Sequence, residues 1–124
     1  MIPYTTYKLI HLFGLLLAFS ALGGMAVHAA SGGTSRASGV RGVVLTMHGL
    51  GVFLLLLGGF GMLARLGIVQ GGLPGWILVK LGVWTVVAVL AALPYRKPAL
   101  AKWTLVALPF LGAFAAYMAL YKPV

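Results

Sequence analysis

The amino-acid sequence predicts an all-α fold, a four-transmembrane-helix antiparallel bundle. Of its 124 residues, 62% are hydrophobic, and not one is Asp or Glu. Four apolar stretches fill most of the length, and each is long enough to cross a hydrocarbon core of about 30 Å as a helix. This composition is typical of an integral membrane protein rather than of a soluble domain.

The four predicted helices are separated by short linkers, and together they form a single membrane domain over residues 1–124. We place the helices at residues 7–30, 43–64, 75–93 and 102–121. The first linker is rich in Gly and Ser, as a water-exposed loop should be. The second ends in Gly-Gly-Leu-Pro, and the third carries two prolines that force a tight return. Such short linkers predict antiparallel neighbours, with both termini on one side.

All nine charged side chains are basic, and most of them lie at the ends of the apolar stretches. This distribution suits contact with the anionic headgroups of a lipid bilayer. No basic run or basic face is present, so nucleic acid is excluded as a partner. The first and third linkers, with the start of the fourth helix, carry more Lys and Arg than the opposite side. The positive-inside rule therefore places both termini outside, in the periplasm if the membrane is a bacterial inner membrane.

The absence of acidic side chains excludes several kinds of chemistry. No carboxylate side chain can act as a general base, a nucleophile or a ligand of a hard metal. The chain also has no Cys, which excludes disulfides and thiolate-bound metals. Three His and nine Lys or Arg remain as the candidate functional groups, together with some hydroxyls.

One candidate site combines His11 and Lys80. His11 lies about one turn inside the first helix and Lys80 about five residues inside the third, so both share a leaflet and a similar depth. A Lys in hydrocarbon costs about 2.5–3.5 kcal/mol, so Lys80 either has a function or snorkels to the interface. Its counter-ion has four candidate sources: the carboxylate of Val124, a lipid phosphate, a cofactor carboxylate, or an acidic residue of another subunit.

A second candidate site combines His28 and His48, which face the opposite leaflet. Imidazoles on neighbouring helices are the usual axial ligands of haem b in membrane bundles. Their depths differ by about 8 Å, which strains a shared haem. The alternative is that His28 is an interfacial polar residue. The glycines of the first two helices, among them Gly14, Gly51 and Gly58, predict close helix packing.

Several short motifs resemble those of a known family. They are Lys8-x-x-His11, Met47-His48-Gly49, Trp76 with Lys80, and Lys122-Pro123-Val124. The pattern is similar to the HemJ-like family of small four-helix membrane proteins, which includes HemJ-type protoporphyrinogen oxidases, and copper-resistance-D-type proteins look related to it. The resemblance implies that haem b is associated with the protein and that His11 and Lys80 are functionally important. If haem is bound, we expect His11 rather than His28 to be a ligand of the haem iron, because an unpaired imidazole inside a helix in hydrocarbon is costly, whereas His28 can reach water. The chain departs from the family in its lack of acidic residues and its shorter first linker.

Two classes of function follow from these observations. The first is a haem-associated protein of HemJ-like architecture that takes part in membrane redox chemistry. The second is a non-catalytic accessory subunit packed against other subunits of a larger membrane complex. Small size, Gly-rich helix faces and a buried cation without an acidic partner favour the second, whereas the depth shared by His11 and Lys80 favours the first. Whether the chain is an enzyme is left open.

Overall fold

The computed structural model of the chain describes residues 2–36 and 38–124, and all regular secondary structure among them is helical, as predicted. The α-helices are α1 (Tyr4–Ala30), α2 (Arg41–Leu66), α3 (Gly75–Leu90), α4 (Leu93–Arg96) and α5 (Ala101–Tyr121). Two 3₁₀ turns, Ile68–Gly71 and Pro98–Leu100, lie in the second and third linkers. Local signals explain two boundaries: Gly67 ends α2 in the left-handed conformation with φ of 71°, and Pro74 precedes the first turn of α3.

Three helical segments are long and apolar enough to cross a membrane: α1, α2, and α5 together with the 3₁₀ turn before it. The fourth apolar helix, α3, has only 16 residues. At 1.5 Å per residue, α3 is about 24 Å long, somewhat less than a hydrocarbon core. The sequence predicted a helix to residue 93, but α3 ends at Leu90. Pro94 explains this end, because it has no N–H to donate to the carbonyl of Leu90.

The tightest helix contact joins α1 to α2 through glycines. A Cβ atom at Gly14 would lie 2.6 Å from the amide nitrogen of Leu55 and 2.7 Å from the carbonyl oxygen of Gly51. A Cβ atom at Gly51 would lie 2.6 Å from the amide nitrogen of Ala18. No side chain fits at such distances, so the two backbones touch directly. The predicted role of these glycines in helix packing is confirmed.

The core of the bundle surrounds α1. It contains the buried side chains of Ala18, Leu22, Met25, Leu55, Val87 and Leu108. α1 contacts α2, α4 and α5, whereas α3 packs against α2 and α5. Large apolar side chains on the outer faces of every long helix are exposed, for example Leu16 on α1 and Phe110 on α5. An apolar exterior of this extent is the surface of a membrane-embedded protein in contact with lipid.

Two contacts define one end of the bundle. Tyr7 near the start of α1 lies against Gly61 near the end of α2, and Val124 lies against Gly75 at the start of α3. These four residues mark what we call the terminal end, where α1 begins and α5 ends. The opposite end, called the linker end, contains the first linker, α4 and the start of α5. The antiparallel arrangement of α1 and α2 follows directly from these contacts.

Candidate functional site

His11 bridges α1 and α2 near the terminal end. Its backbone lies against α2, since a Cβ atom at Gly58 would be 2.5 Å from the amide nitrogen of His11. The half-buried ring hydrogen-bonds through Nδ1 to the carbonyl oxygen of Leu55, at 2.8 Å. A carbonyl oxygen only accepts, so Nδ1 carries the proton. In the neutral ring, Nε2 then keeps a lone pair, which is the state required of a metal ligand.

Lys80 and Lys122 bring two further basic groups to the terminal end. Lys80 on α3 is half-buried, and its ammonium group lies close enough to His11 for the two to repel each other when both are charged. Lys122, just after α5, acts on Lys80 in the same way. The Lys122 ammonium also lies 5.2 Å from the ring centroid of Trp76, a cation–π contact one helical turn from Lys80. The structure therefore brings His11 and Lys80 to one end of the bundle, with a third cation beside them.

This cluster of basic groups has no acidic side chain to balance it, because the chain contains none. Val124, one of the four predicted sources of a counter-ion for Lys80, packs against Gly75. Lys122 places a second cation near Lys80. The electrostatics of the terminal end therefore favour an anionic group, and no side chain of this chain can supply one.

His48 ties α2 to α3. Its side chain is 7% exposed, and its Nε2 donates to the carbonyl oxygen of Val87 at 3.0 Å. Val87 lies in the last turn of α3, where helix geometry leaves carbonyl oxygens short of donors. Trp84 makes a reciprocal contact, because its Nε1 donates to the carbonyl oxygen of Val52 on α2 at 2.8 Å. These two hydrogen bonds fix α3 against α2, and neither of them was predicted from the sequence.

His28 lies at the linker end and contacts Tyr95, a partner that was not predicted from the sequence. Its Nδ1 is 2.6 Å from the hydroxyl oxygen of Tyr95 on α4, and the two rings meet edge to face with centroids 5.7 Å apart. The pair lines a cavity of about 140 Å³ together with Ser35, Ser38 and Arg41. His28 thus faces α4, whereas His48 faces α3. The two rings proposed as a haem-binding pair are directed to different neighbours.

The nitrogen that each ring uses bears on its fit to haem. Metal-binding imidazoles in proteins use one ring nitrogen for the metal and donate the other N–H to a carbonyl or carboxylate. His11 has this arrangement through Leu55 and leaves Nε2 available. In His48 the Nε2 atom is itself bonded to Val87. His48 thus keeps its lone pair on Nδ1, next to the backbone, in a ring that is only 7% exposed, whereas His11 keeps it on Nε2 in a half-buried ring. Of these two histidines, His11 therefore fits an axial haem ligand better.

A metal centre built from several side chains is a different kind of site. Across residues 2–36 and 38–124, no three His, Cys, Asp or Glu side chains lie together so that they could hold a metal ion. Haem needs fewer ligands from the protein, because the porphyrin supplies four nitrogen ligands and the chain supplies only the axial ones. His11 can supply one axial nitrogen, and the positive charges of Lys80 and Lys122 are complementary to the negative charges of the propionates.

Comparison with known proteins returned no match among family models, curated proteins or solved structures. The similarity to the HemJ-like family therefore depends on the short sequence motifs alone.

Proposed function

We propose that this chain is a haem-associated membrane protein of HemJ-like architecture, in which His11 is an axial ligand of haem b. The observation that carries the proposal is the hydrogen bond from His11 Nδ1 to the Leu55 carbonyl. That bond fixes the tautomer and the ring orientation, and it increases the basicity of Nε2. Within the same proposal, α3 is the fourth membrane span and both termini are on the periplasmic side of a bacterial inner membrane.

The residues of the chain have distinct parts in this proposal. Leu55 orients the ring of His11, and Lys80 with Lys122 offsets the negative charge of the propionates. Bound haem b supplies one-electron redox chemistry. Because the chain has no carboxylate side chain, the side chains that could carry protons near the site are those with imidazole, ammonium or hydroxyl groups.

An absorption spectrum tests this proposal directly. The full chain is expressed with haem available, purified in detergent and measured between the ultraviolet and the visible range. We expect a Soret band in the purified protein, or one that develops on titration with haem b and saturates near one haem per chain. A preparation that stays colourless and gives only a linear, non-saturating titration would exclude specific haem binding.

A second function, that of an accessory subunit in a larger membrane complex, is favoured by the outer face of α5. This face carries exposed aromatic side chains from one end of the helix to the other: Trp103, Phe110, Phe114, Tyr117 and Tyr121. Aromatic side chains are enriched at protein interfaces, and here they form a continuous stripe that the bundle does not cover. In this case the anion near Lys80 is an acidic residue of the neighbouring subunit. A colourless chain that co-purifies with a large assembly would favour this function over the first.

A further inference from the structure

A groove at the linker end lies between the last turns of α3 and the short helix α4. Its volume is about 290 Å³. The wall is apolar and includes Val86, Val89, Leu90 and Leu93. Ala92 and the basic pair Arg96 and Lys97 complete the lining. The groove is therefore amphipathic, with apolar side chains along α3 and two positively charged side chains where α4 ends.

The apolar wall lies on the outside of the bundle. Val89 is 63% exposed and Val86 is 43% exposed, so hydrocarbon covers both when the protein is embedded. α3 ends at Leu90, and the chain turns away in α4. Arg96 and Lys97 come after that turn, and both side chains are exposed. This order of apolar wall followed by basic residues matches the order of acyl chain and headgroup in a membrane leaflet.

Charge restricts the occupant further. Arg96 and Lys97 are adjacent, and the chain has no acidic side chain that could pair with either of them. A zwitterionic headgroup brings its own cation to such a site, whereas an anionic headgroup does not. Charge complementarity therefore favours a ligand with net negative charge, and the apolar wall requires that the ligand also carry hydrocarbon.

We propose that this groove binds one anionic phospholipid, with an acyl chain along Val86, Val89 and Leu93 and the phosphate at Arg96 and Lys97. The groove is at the linker end, whereas His11 and Lys80 are near the terminal end. Lipid binding here is therefore independent of haem binding, and either proposal can fail without affecting the other.

Native mass spectrometry of the full chain in detergent, titrated with single lipids, tests the proposal. The probes are phosphatidylglycerol, phosphatidylcholine and glycerol 3-phosphate. We expect one molecule of phosphatidylglycerol to bind with the highest affinity. Equal affinity for phosphatidylcholine would show that Arg96 and Lys97 do not select the headgroup, and equal binding of glycerol 3-phosphate would show that the apolar wall has no part. Either outcome would overturn the proposal.

Two double variants distinguish lipid binding by the basic pair of the groove from binding by the general positive charge of the surface. Arg96→Gln with Lys97→Gln removes the basic pair of the groove, and Arg36→Gln with Lys102→Gln removes two charges from the same end outside the groove. We expect the first to weaken phosphatidylglycerol binding about thirty-fold, the combined contribution of two basic residues beside anionic lipid. The second should leave the affinity within about two-fold of the wild type. An equal loss in both would assign binding to net charge and reject the groove.

A third variant keeps every charge and changes only the shape of the groove. Val89→Trp places a large ring on the apolar wall at a position that is mostly exposed, so the bundle should fold normally, as circular dichroism would check. We expect phosphatidylglycerol binding to fall about ten-fold, because the ring occupies the path of the acyl chain. Unchanged binding in Val89→Trp would show that the lipid does not lie in the groove.

Discussion

The ring of His11 on α1 donates a hydrogen bond from Nδ1 to the carbonyl oxygen of Leu55 on α2, at 2.8 Å. This contact has two consequences. It supplies a polar partner to an imidazole in an apolar helix, where an unpaired ring would be costly. It also sets the tautomer, so that Nε2 is the nitrogen with a lone pair. The same bond therefore links the two helices and, in the function that we propose, orients the haem ligand.

Substitutions at His11 can separate these two consequences. In His11→Asn, the side-chain amide can still donate to Leu55, but it lacks the imidazole nitrogen that the proposed haem site requires. In His11→Ala, both the hydrogen bond and the ligand are lost. We expect both variants to lose the Soret band, whereas only His11→Ala should be destabilised, by about 0.6–1.7 kcal/mol for one interhelical hydrogen bond. Absorption spectra and unfolding in mixed detergent micelles give the two readouts.

His28→Ala is the matched control for this experiment. It removes an imidazole from the same helix, but from the linker end, where His28 contacts Tyr95. We expect the Soret band of His28→Ala to be unchanged. A band that survives in His11→Ala and disappears in His28→Ala would move the haem site to the linker end.

The backbone contact between α1 and α2 gives a prediction about stability. Gly51→Ala places a methyl group 2.6 Å from the amide nitrogen of Ala18 and 2.8 Å from the carbonyl oxygen of Gly14. Backbone atoms cannot move aside singly, so the two helices must separate. We expect a destabilisation of about 1–3 kcal/mol, the usual cost of overpacking. Gly49→Ala is the control, because it adds the same methyl group in the same helix with nothing within 4 Å. If both variants unfold at the same denaturant concentration, the close contact has no energetic role.

Trp84 provides a similar test of the α2–α3 contact. Trp84→Phe keeps an aromatic ring but removes the N–H that donates to Val52 at 2.8 Å. We expect a loss of about 0.5–1.5 kcal/mol, since the hydrogen bond and some packing disappear together. Trp103→Phe, at a position that is 59% exposed on α5, should change the free energy of unfolding by less than about 0.5 kcal/mol. Equal effects of the two substitutions would mean that the Trp84 hydrogen bond contributes nothing.

The sequence was sufficient for the helical architecture, because long apolar runs without acidic residues have few other structures open to them. It was insufficient for the end of α3, since the effect of Pro94 falls four residues earlier, at Leu90. It also could not supply the partners of the histidines. Leu55 and Val87 accept through backbone carbonyls, which every residue has, and only the packing of the helices selects one of them.

Side-chain partners, such as Tyr95 for His28, could not be predicted from the sequence either. Tyr95 is 67 residues from His28 along the chain, and nothing in the local sequence links the two. By contrast, the placement of His11 and Lys80 at one end of the bundle followed from counting residues from the helix starts. Depth along a helix can be predicted from sequence in this way, whereas the identity of the residue across the interface cannot.

The direction of the helices can be tested by labelling. The chain has no Cys, so single cysteines introduced at Ile2, Pro123 and Gly39 report their positions without background. We expect Ile2→Cys and Pro123→Cys to react with an impermeant thiol reagent from one side of the membrane, and Gly39→Cys to react from the other. Labelling of positions 2 and 123 from opposite sides would mean an odd number of spans. In that case α3, with its 16 residues, would be the helix that does not cross.

Lys80 gives a prediction that depends on the absence of acidic residues. Its half-buried ammonium group has Lys122 as a charged neighbour and no acidic side chain of this chain as a partner. Lys80→Met keeps most of the side-chain length and removes the charge. Because the repulsion from Lys122 and the cost of burying a cation both disappear, we expect the isolated bundle to be unchanged or slightly more stable. Haem retention, or co-purification of a partner subunit, should nevertheless decrease, since the cation that offsets an external anion is lost.

Lys8→Met is the matched control for Lys80→Met, because Lys8 is an exposed lysine in α1 near the terminal end. It removes the same charge at a position where water can reach the ammonium group, so we expect haem content and co-purifying proteins to stay at the wild-type level. Haem titrations and mass spectrometry of the purified material measure both quantities in the two variants. If Lys80→Met also behaves like the wild type, Lys80 is a lysine that snorkels to the interface, and the external anion that we infer near it does not exist.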